Sequence, residues 1–138
     1  MQFASIRVLT ANLPRLVEFY EQATGLPATR YTPDFAELPT PGATLAIGSL
    51  RTPELMGNPH VATATNRSVI IEFYVADVDA AYQRLADLLG PDVVQAPTTM
   101  PWGNRSLLFR DPDGNLVNFF TPVTPAAQQR FFKQAAAE

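Results

Sequence analysis

Residues 12–25 and 77–90 of this 138-residue chain follow one pattern of capping, apolar and terminating positions. Asn12 falls on Asp77, Leu13 on Val78, Leu16 on Ala81, Tyr20 on Leu85 and Gly25 on Gly90, each pair 65 positions apart. Each half therefore carries a strand, a polar residue able to cap a helix, and a glycine able to end it. Farther along the offset grows to 72, so that residues 42–46 lie against residues 114–118 and the second half has the longer loop, around Pro101. A period of this length exceeds any solenoid unit, and two copies are too few for one. One module written twice is the reading that follows.

The first module opens with a strand over residues 3–10, with Ile6 and Val8 on one face and Ser5, Arg7 and Leu9 on the other. Asn12 caps the helix that follows, Pro14 sits in its first turn, and Leu13, Leu16, Val17 and Tyr20 recur at helical spacing up to Gly25. Residues 28–50, broken by Pro33, Pro39 and Pro41, read as a meander of short strands, the clearest at 43–48. The module is strand, helix, then three strands, and occupies residues 3–50. Residues 51–67 differ in composition and read as a connector. The second module, 68–122, begins with a strand in which Val69, Ile71, Phe73 and Val75 alternate with Ile70, Glu72 and Tyr74. Its helix starts near Asp77 or Asp79, buries Val78, Ala81, Tyr82, Leu85 and Leu88, and stops at Leu89-Gly90-Pro91. Asp111-Pro112-Asp113-Gly114 marks a tight hairpin. A tail over 123–138 reads as helical from Pro125 onward, with Phe131 and Phe132 needing cover from the domain or from a second subunit. The whole is expected to form a single domain.

Composition limits the functions open to such a chain. With 46% apolar residues it can fill a core, and with a net charge of −3 and no run of Lys or Arg it offers no surface for nucleic acid. No apolar stretch approaches the roughly 20 residues needed to cross a bilayer, and Met1 to Ala4 lead directly into a strand rather than through a secretory segment. No membrane partner and a cytoplasmic location are therefore expected. The lack of cysteine removes thiol chemistry, and His60, the single histidine, stands in the connector as an ordinary surface residue. Asp111, Asp113 and Asn115 have the spacing that starts a calcium loop but lack its distal Glu and flanking helices. The glycines form no phosphate cradle, and Asn66-Arg67-Ser68 is a glycosylation sequon without a secretory context.

The two-module layout, with Val75-Ala76-Asp77-Val78-Asp79-Ala80, Met100-Pro101-Trp102-Gly103-Asn104-Arg105-Ser106 and Arg110-Asp111-Pro112-Asp113-Gly114-Asn115-Leu116, resembles the vicinal oxygen chelate superfamily. That superfamily includes glyoxalase I, extradiol dioxygenases, fosfomycin resistance enzymes and bleomycin resistance proteins. The resemblance covers residues 3–122. It implies an α+β fold of two βαβββ modules whose curved mixed sheets surround a central cavity. It also implies a homodimer, or one made by exchange of modules between chains.

In metal-dependent members, one residue on the first strand and one on the last strand of each module bind a divalent cation, usually His or Gln with Glu. The matching positions here are Ser5, Ala46, Ile70 and Asn118, of which only Asn118 offers even a weak neutral donor. A slip of one residue cannot restore the site, because it turns the strand's side chains to the other face. No metal, no cofactor and no catalytic residue are therefore expected.

The remaining candidates are ligand-binding residues. Glu72 lies two residues from the missing ligand position; it would pair with an inward Arg such as Arg7, or else serve as a base, a cation ligand or a hydrogen-bond acceptor. Trp102, between Pro101 and Gly103, would either wall a pocket and stack on a planar ligand or fill core under its loop. With Ser106 and Leu108 on the face of Leu116, Asn118 and Phe120, the expected wall comprises Phe3, Ser5, Arg7, Ile70, Glu72, Tyr74, Leu108, Asn118 and Phe120, with Trp102 at its rim. A cavity collapsed on those same side chains is the alternative. The favoured reading is metal-independent binding and sequestration of a small aromatic or amphipathic molecule, such as an antibiotic, in the manner of bleomycin resistance proteins. Competing with it are a metal-dependent lyase, dioxygenase or thiol transferase, and a dimeric domain with a vestigial cavity.

Overall fold

Asn12 and Asp77, matched by the repeat, both stand at helix starts in the computed structural model, which describes residues 1–136. The Asn12 side chain accepts from the Arg15 N–H and that of Asp77 from the Ala80 N–H. Gly25 and Gly90, also matched, both adopt positive φ, at 73° and 49°. The elements between these anchors form two units. One holds residues 1–66 together with 112–114, the other residues 67–111 and 115–138.

In the first unit, β1 (Ser5–Leu9) leads to α1 (Leu13–Thr24), then β2 (Thr29–Thr32), β3 (Phe35–Pro39) and β4 (Thr44–Gly48). The sheet order is β1-β4-β3-β2, with β1 parallel to β4 and the other pairs antiparallel. Leu16, Val17, Tyr20 and Ala23 of α1 are fully buried, as are Ala36, Leu38 and Ile47 of the sheet. One apolar helix stripe on one sheet face makes this core.

The second unit repeats the plan. Its elements are β5 (Ile70–Tyr74), α3 (Val78–Arg84), α4 (Ala86–Leu89), β6 (Val93–Thr99), β7 (Asn104–Arg110) and β8 (Leu116–Pro122), in sheet order β5-β8-β7-β6. The expected α+β architecture of two βαβββ modules is present. Phe109 and Phe119, both buried, meet edge to face at 5.0 Å beneath α3 and α4. Ile71, Leu107 and Val117 complete that core with Val78, Ala81, Leu85 and Leu89.

The structure corrects three local expectations. The strands expected at 3–10 and 68–75 shorten to five residues each, Ser5–Leu9 and Ile70–Tyr74. The second helix breaks at Leu85, which ends α3 and precedes α4; the extra turn brings Leu89 into the core and leaves Leu88 and Tyr82 half-buried. The connector is not wholly irregular, since residues Arg51–Leu55 form a short helix, α2. Thr52 of α2 lies over Gly48, where a Cβ would stand 2.6 Å from its Oγ1.

The hairpin turn is built by its own side chains. Asp111, buried, accepts from the Asn115 N–H at 2.9 Å through Oδ1 and from Asn115 Nδ2 at 2.8 Å through Oδ2. Those bonds, with Gly114 at φ 81°, account for the Asp-Pro-Asp-Gly-Asn string as a turn. The tail forms α5 (Pro125–Ala136), and residues 137–138 of the expected helix lie outside the described residues.

Candidate functional site

Helices α3 and α4 cover one face of the second sheet, and period-two alternation sends the intervening side chains to the other. Register places Glu72 level with Asn118 and Leu108, Tyr74 level with Phe120 and Ser106, and Ile70 level with Leu116 and Arg110. The face is amphipathic in rows. Ile70 at 47% and Tyr74 at 42% remain exposed, more than large apolar side chains on a covered sheet would be.

A hydrogen bond joins the polar row: Asn118 Nδ2 donates to Glu72 Oε2 at 2.8 Å. Arg7 finds other company in its own unit: its guanidinium lies 5.0 Å over the Phe35 ring and Nη1 donates to Met56 Sδ at 3.2 Å. Glu72 and Arg7 thus each have a hydrogen-bond partner within their own unit. Asn118 Oδ1 and Ser106 Oγ are buried with no hydrogen-bond partner. Buried polar atoms are paired in most folded proteins, so an unpaired amide oxygen and an unpaired hydroxyl on one sheet face mark a place suited to a polar ligand group.

Helix α5 supplies the aromatic part. Phe131 stacks on Tyr74 with ring centroids 4.5 Å apart and planes at 26°, and meets Phe120 edge to face at 5.8 Å. Phe131 thus takes its cover from the module itself, whereas Phe132 stays 52% exposed. The helix is held by the Trp102 loop: Arg130 Nη2 donates to the Trp102 carbonyl at 3.0 Å, and Ala127, buried, lies against Gly103. Sequence reading placed Ser106 on this face but left it out of the expected wall, and it missed Phe131 as a member of this constellation. The i, i+4 spacing of Ala127 and Phe131 was the available signal, a two-residue apolar face on an otherwise polar helix.

Trp102 is 58% exposed, on the turn between β6 and β7, so the core-filling alternative does not hold. Leu108 and Phe120 are half-buried. Ser5 and Arg7 stand on the corresponding open face of the first sheet, level with Thr44 and Ala46. His60 is exposed in the connector. Arg105 of the resemblance-bearing loop ties β7 to α3 through Nε to Asp79 Oδ2 at 2.8 Å and Nη2 to Oδ1 at 3.0 Å. Those hydrogen bonds hold the Asp79 carboxyl below the usual carboxylate range and raise the guanidinium. The pair is structural.

The chain matches the model of the glyoxalase/bleomycin resistance protein/dioxygenase superfamily over residues 2–119. It belongs to that superfamily.

Solved structures agree on the fold. A glyoxalase/bleomycin resistance protein/dioxygenase from Nocardioides is 26% identical, with a TM-score of 0.74 over 91% of this chain and 85% of that one. A family enzyme from Burkholderia phytofirmans PsJN, 19% identical, superposes with a TM-score of 0.78 over 89% of this chain and 100% of that one. A protein of unknown function from Agrobacterium tumefaciens, 26% identical, gives 0.73 over 87% and 93%. A search of curated proteins finds no match.

Membership raises the question of a metal, which the donors themselves answer. Ala46 and Ile70 end in carbon, Ser5 in a hydroxyl, and the Asn118 amide already donates to Glu72. Register places Glu72 rather than Ile70 beside Asn118, so one carboxylate and one amide oxygen are the donors there. Among the described residues no three His, Cys, Asp or Glu side chains are grouped to hold a metal. This donor set does not fit the superfamily's usual nitrogen and carboxylate centre. Among the same residues no helix is long and apolar enough to cross a membrane.

Proposed function

We propose that this superfamily member binds and sequesters a small aromatic or amphipathic organic molecule without a metal, in the manner of the bleomycin resistance branch. The observation carrying the reading is the open face of the second sheet, where the Tyr74–Phe120 row adjoins the Glu72–Asn118 pair. Rings supply stacking area and the polar row supplies orientation, which together suffice for affinity. Sequestration needs nothing more, and a planar antibiotic is the type of ligand that suits both rows. A cytoplasmic homodimer is part of the same proposal. Exposed Leu55, Met56 and Phe132 are apolar surface available to a partner subunit.

The test uses Trp102, the single tryptophan, as reporter. Its emission is titrated with a panel of planar DNA-binding natural products, before and after treatment with a chelator. Saturable quenching that survives chelation is the expected result. Silence across a chemically broad panel, or binding that needs an added divalent ion, would overturn the reading.

A further inference from the structure

The aromatic and polar rows of the open face are adjacent, and one of them is already occupied by a ring from the chain itself. Phe131 lies on Tyr74 nearly parallel at 4.5 Å, the arrangement a bound planar molecule would adopt. The ring is only half-buried and Tyr74 keeps 42% of its surface, so this stack is less complete than the Phe109–Phe119 contact in the core. One row away along the strands, about 6.6 Å by strand geometry, stands the Glu72–Asn118 pair. Asn118 gives one of its two amide N–H groups to Glu72, and its 8%-exposed side chain keeps Oδ1 without a partner. The row therefore presents the Asn118 Oδ1 and the Glu72 carboxylate, with its negative charge, as acceptors. An ammonium has three donors and no acceptor, and is the complement of such a row. Arg110 stands level with Leu116 and Ile70 at the far end of the face from Tyr74.

We propose that the ligand is a planar aromatic amine: its ring takes the place of Phe131 on Tyr74 and Phe120, and its ammonium binds between Glu72 and Asn118. This rests on the reading that the open face binds ligand, and adds its charge and its competition with α5. The helix then acts as a resident cap that a ligand must lift. The attachment of α5 through Arg130 to the Trp102 carbonyl couples that lifting to the fluorescent loop.

Calorimetric titration of the full chain with naphthylethylamine and with naphthylethanol tests it, since the two probes differ only in the charged group. The amine should bind about ten-fold tighter than the alcohol, the scale of one charge-assisted hydrogen bond. Glu72→Gln should remove that preference, bringing the two probes to similar affinity. Phe131→Ala should strengthen both probes, because the occupied state no longer competes; circular dichroism of this variant checks that the sheets persist, and Phe131→Leu provides a milder version. Equal binding of the two probes, or a preference that survives Glu72→Gln, overturns the charge assignment while leaving the binding-face reading intact. Weaker binding of both probes to Phe131→Ala and Phe131→Leu overturns the cap, making Phe131 a fixed wall. Absence of binding by either probe to Phe131→Ala overturns this proposal and the proposed function together.

Discussion

Replacing Gly103 by alanine should loosen α5 from the second module, and the structure provides the size of the effect. Gly103 sits at φ +93°, where an L side chain is strained, at a cost of about 1–3 kcal/mol. An added Cβ would stand 2.1 Å from Thr124 Oγ1, 2.9 Å from Ala127 Cβ and 3.1 Å from Thr124 Cβ. Thr124 cannot rotate away freely, because its Oγ1 accepts from the Ala127 N–H at 3.2 Å and so caps α5. Losing that cap adds about 1 kcal/mol. Gly103→Ala should thus destabilise by about 2–4 kcal/mol, read by urea unfolding followed by far-UV circular dichroism. Thr124→Ala alone should cost about 1 kcal/mol. The double variant should cost less than the sum by about 0.5–1 kcal/mol, because removing Oγ1 relieves the closest clash while the cap is lost only once. A Gly103→Ala protein within about 0.5 kcal/mol of the parent, or strict additivity with Thr124→Ala, would refute the claim that this loop clamps the helix.

Two further outcomes are expected. The Asp79 carboxyl, lowered by hydrogen bonds from Arg105, contributes stability that is present above the ordinary carboxylate pKa and lost as pH falls through the lowered value. Arg105→Gln should return the Asp79 titration to the ordinary range and flatten that acid limb, as followed by carboxyl NMR; an unchanged Asp79 titration would count against the ion pair. Asp111→Ala removes two hydrogen bonds from a buried site, to the Asn115 N–H and Nδ2, and should cost about 2–4 kcal/mol in chemical denaturation; a loss below about 0.5 kcal/mol would show that the turn is held by Pro112 and Gly114 alone.

Much of the fold was legible because its signals are local. Asn12 and Asp77 cap helices through a side chain and an N–H three residues on, Gly25 ends α1 and Gly90 ends α4, both at positive φ. The face of β7 and β8 was legible as well, since a tight turn at Asp111–Gly114 sets the hairpin register. The candidate site was legible only in part. Glu72, Asn118, Tyr74, Phe120 and Leu108 could be assigned to one face by alternation, but alternation does not say which residues stand level. Placing Glu72 against Asn118 depends on how two parallel strands 46 residues apart align. Phe131 was seen as needing cover without a way to name the cover.

The sequence by itself determined the module and its repetition, because both are properties of residue type and short-range spacing, and its resemblance to the superfamily implies Ser5, Ala46, Ile70 and Asn118 at the metal positions. Only the tertiary structure decided that α5 turns back so that Phe131 lies on Tyr74 and Phe120, and that the Asn118 amide donates to Glu72. Those contacts join residues far apart in the chain. They arise from the competition of many long-range packings, which no local propensity encodes.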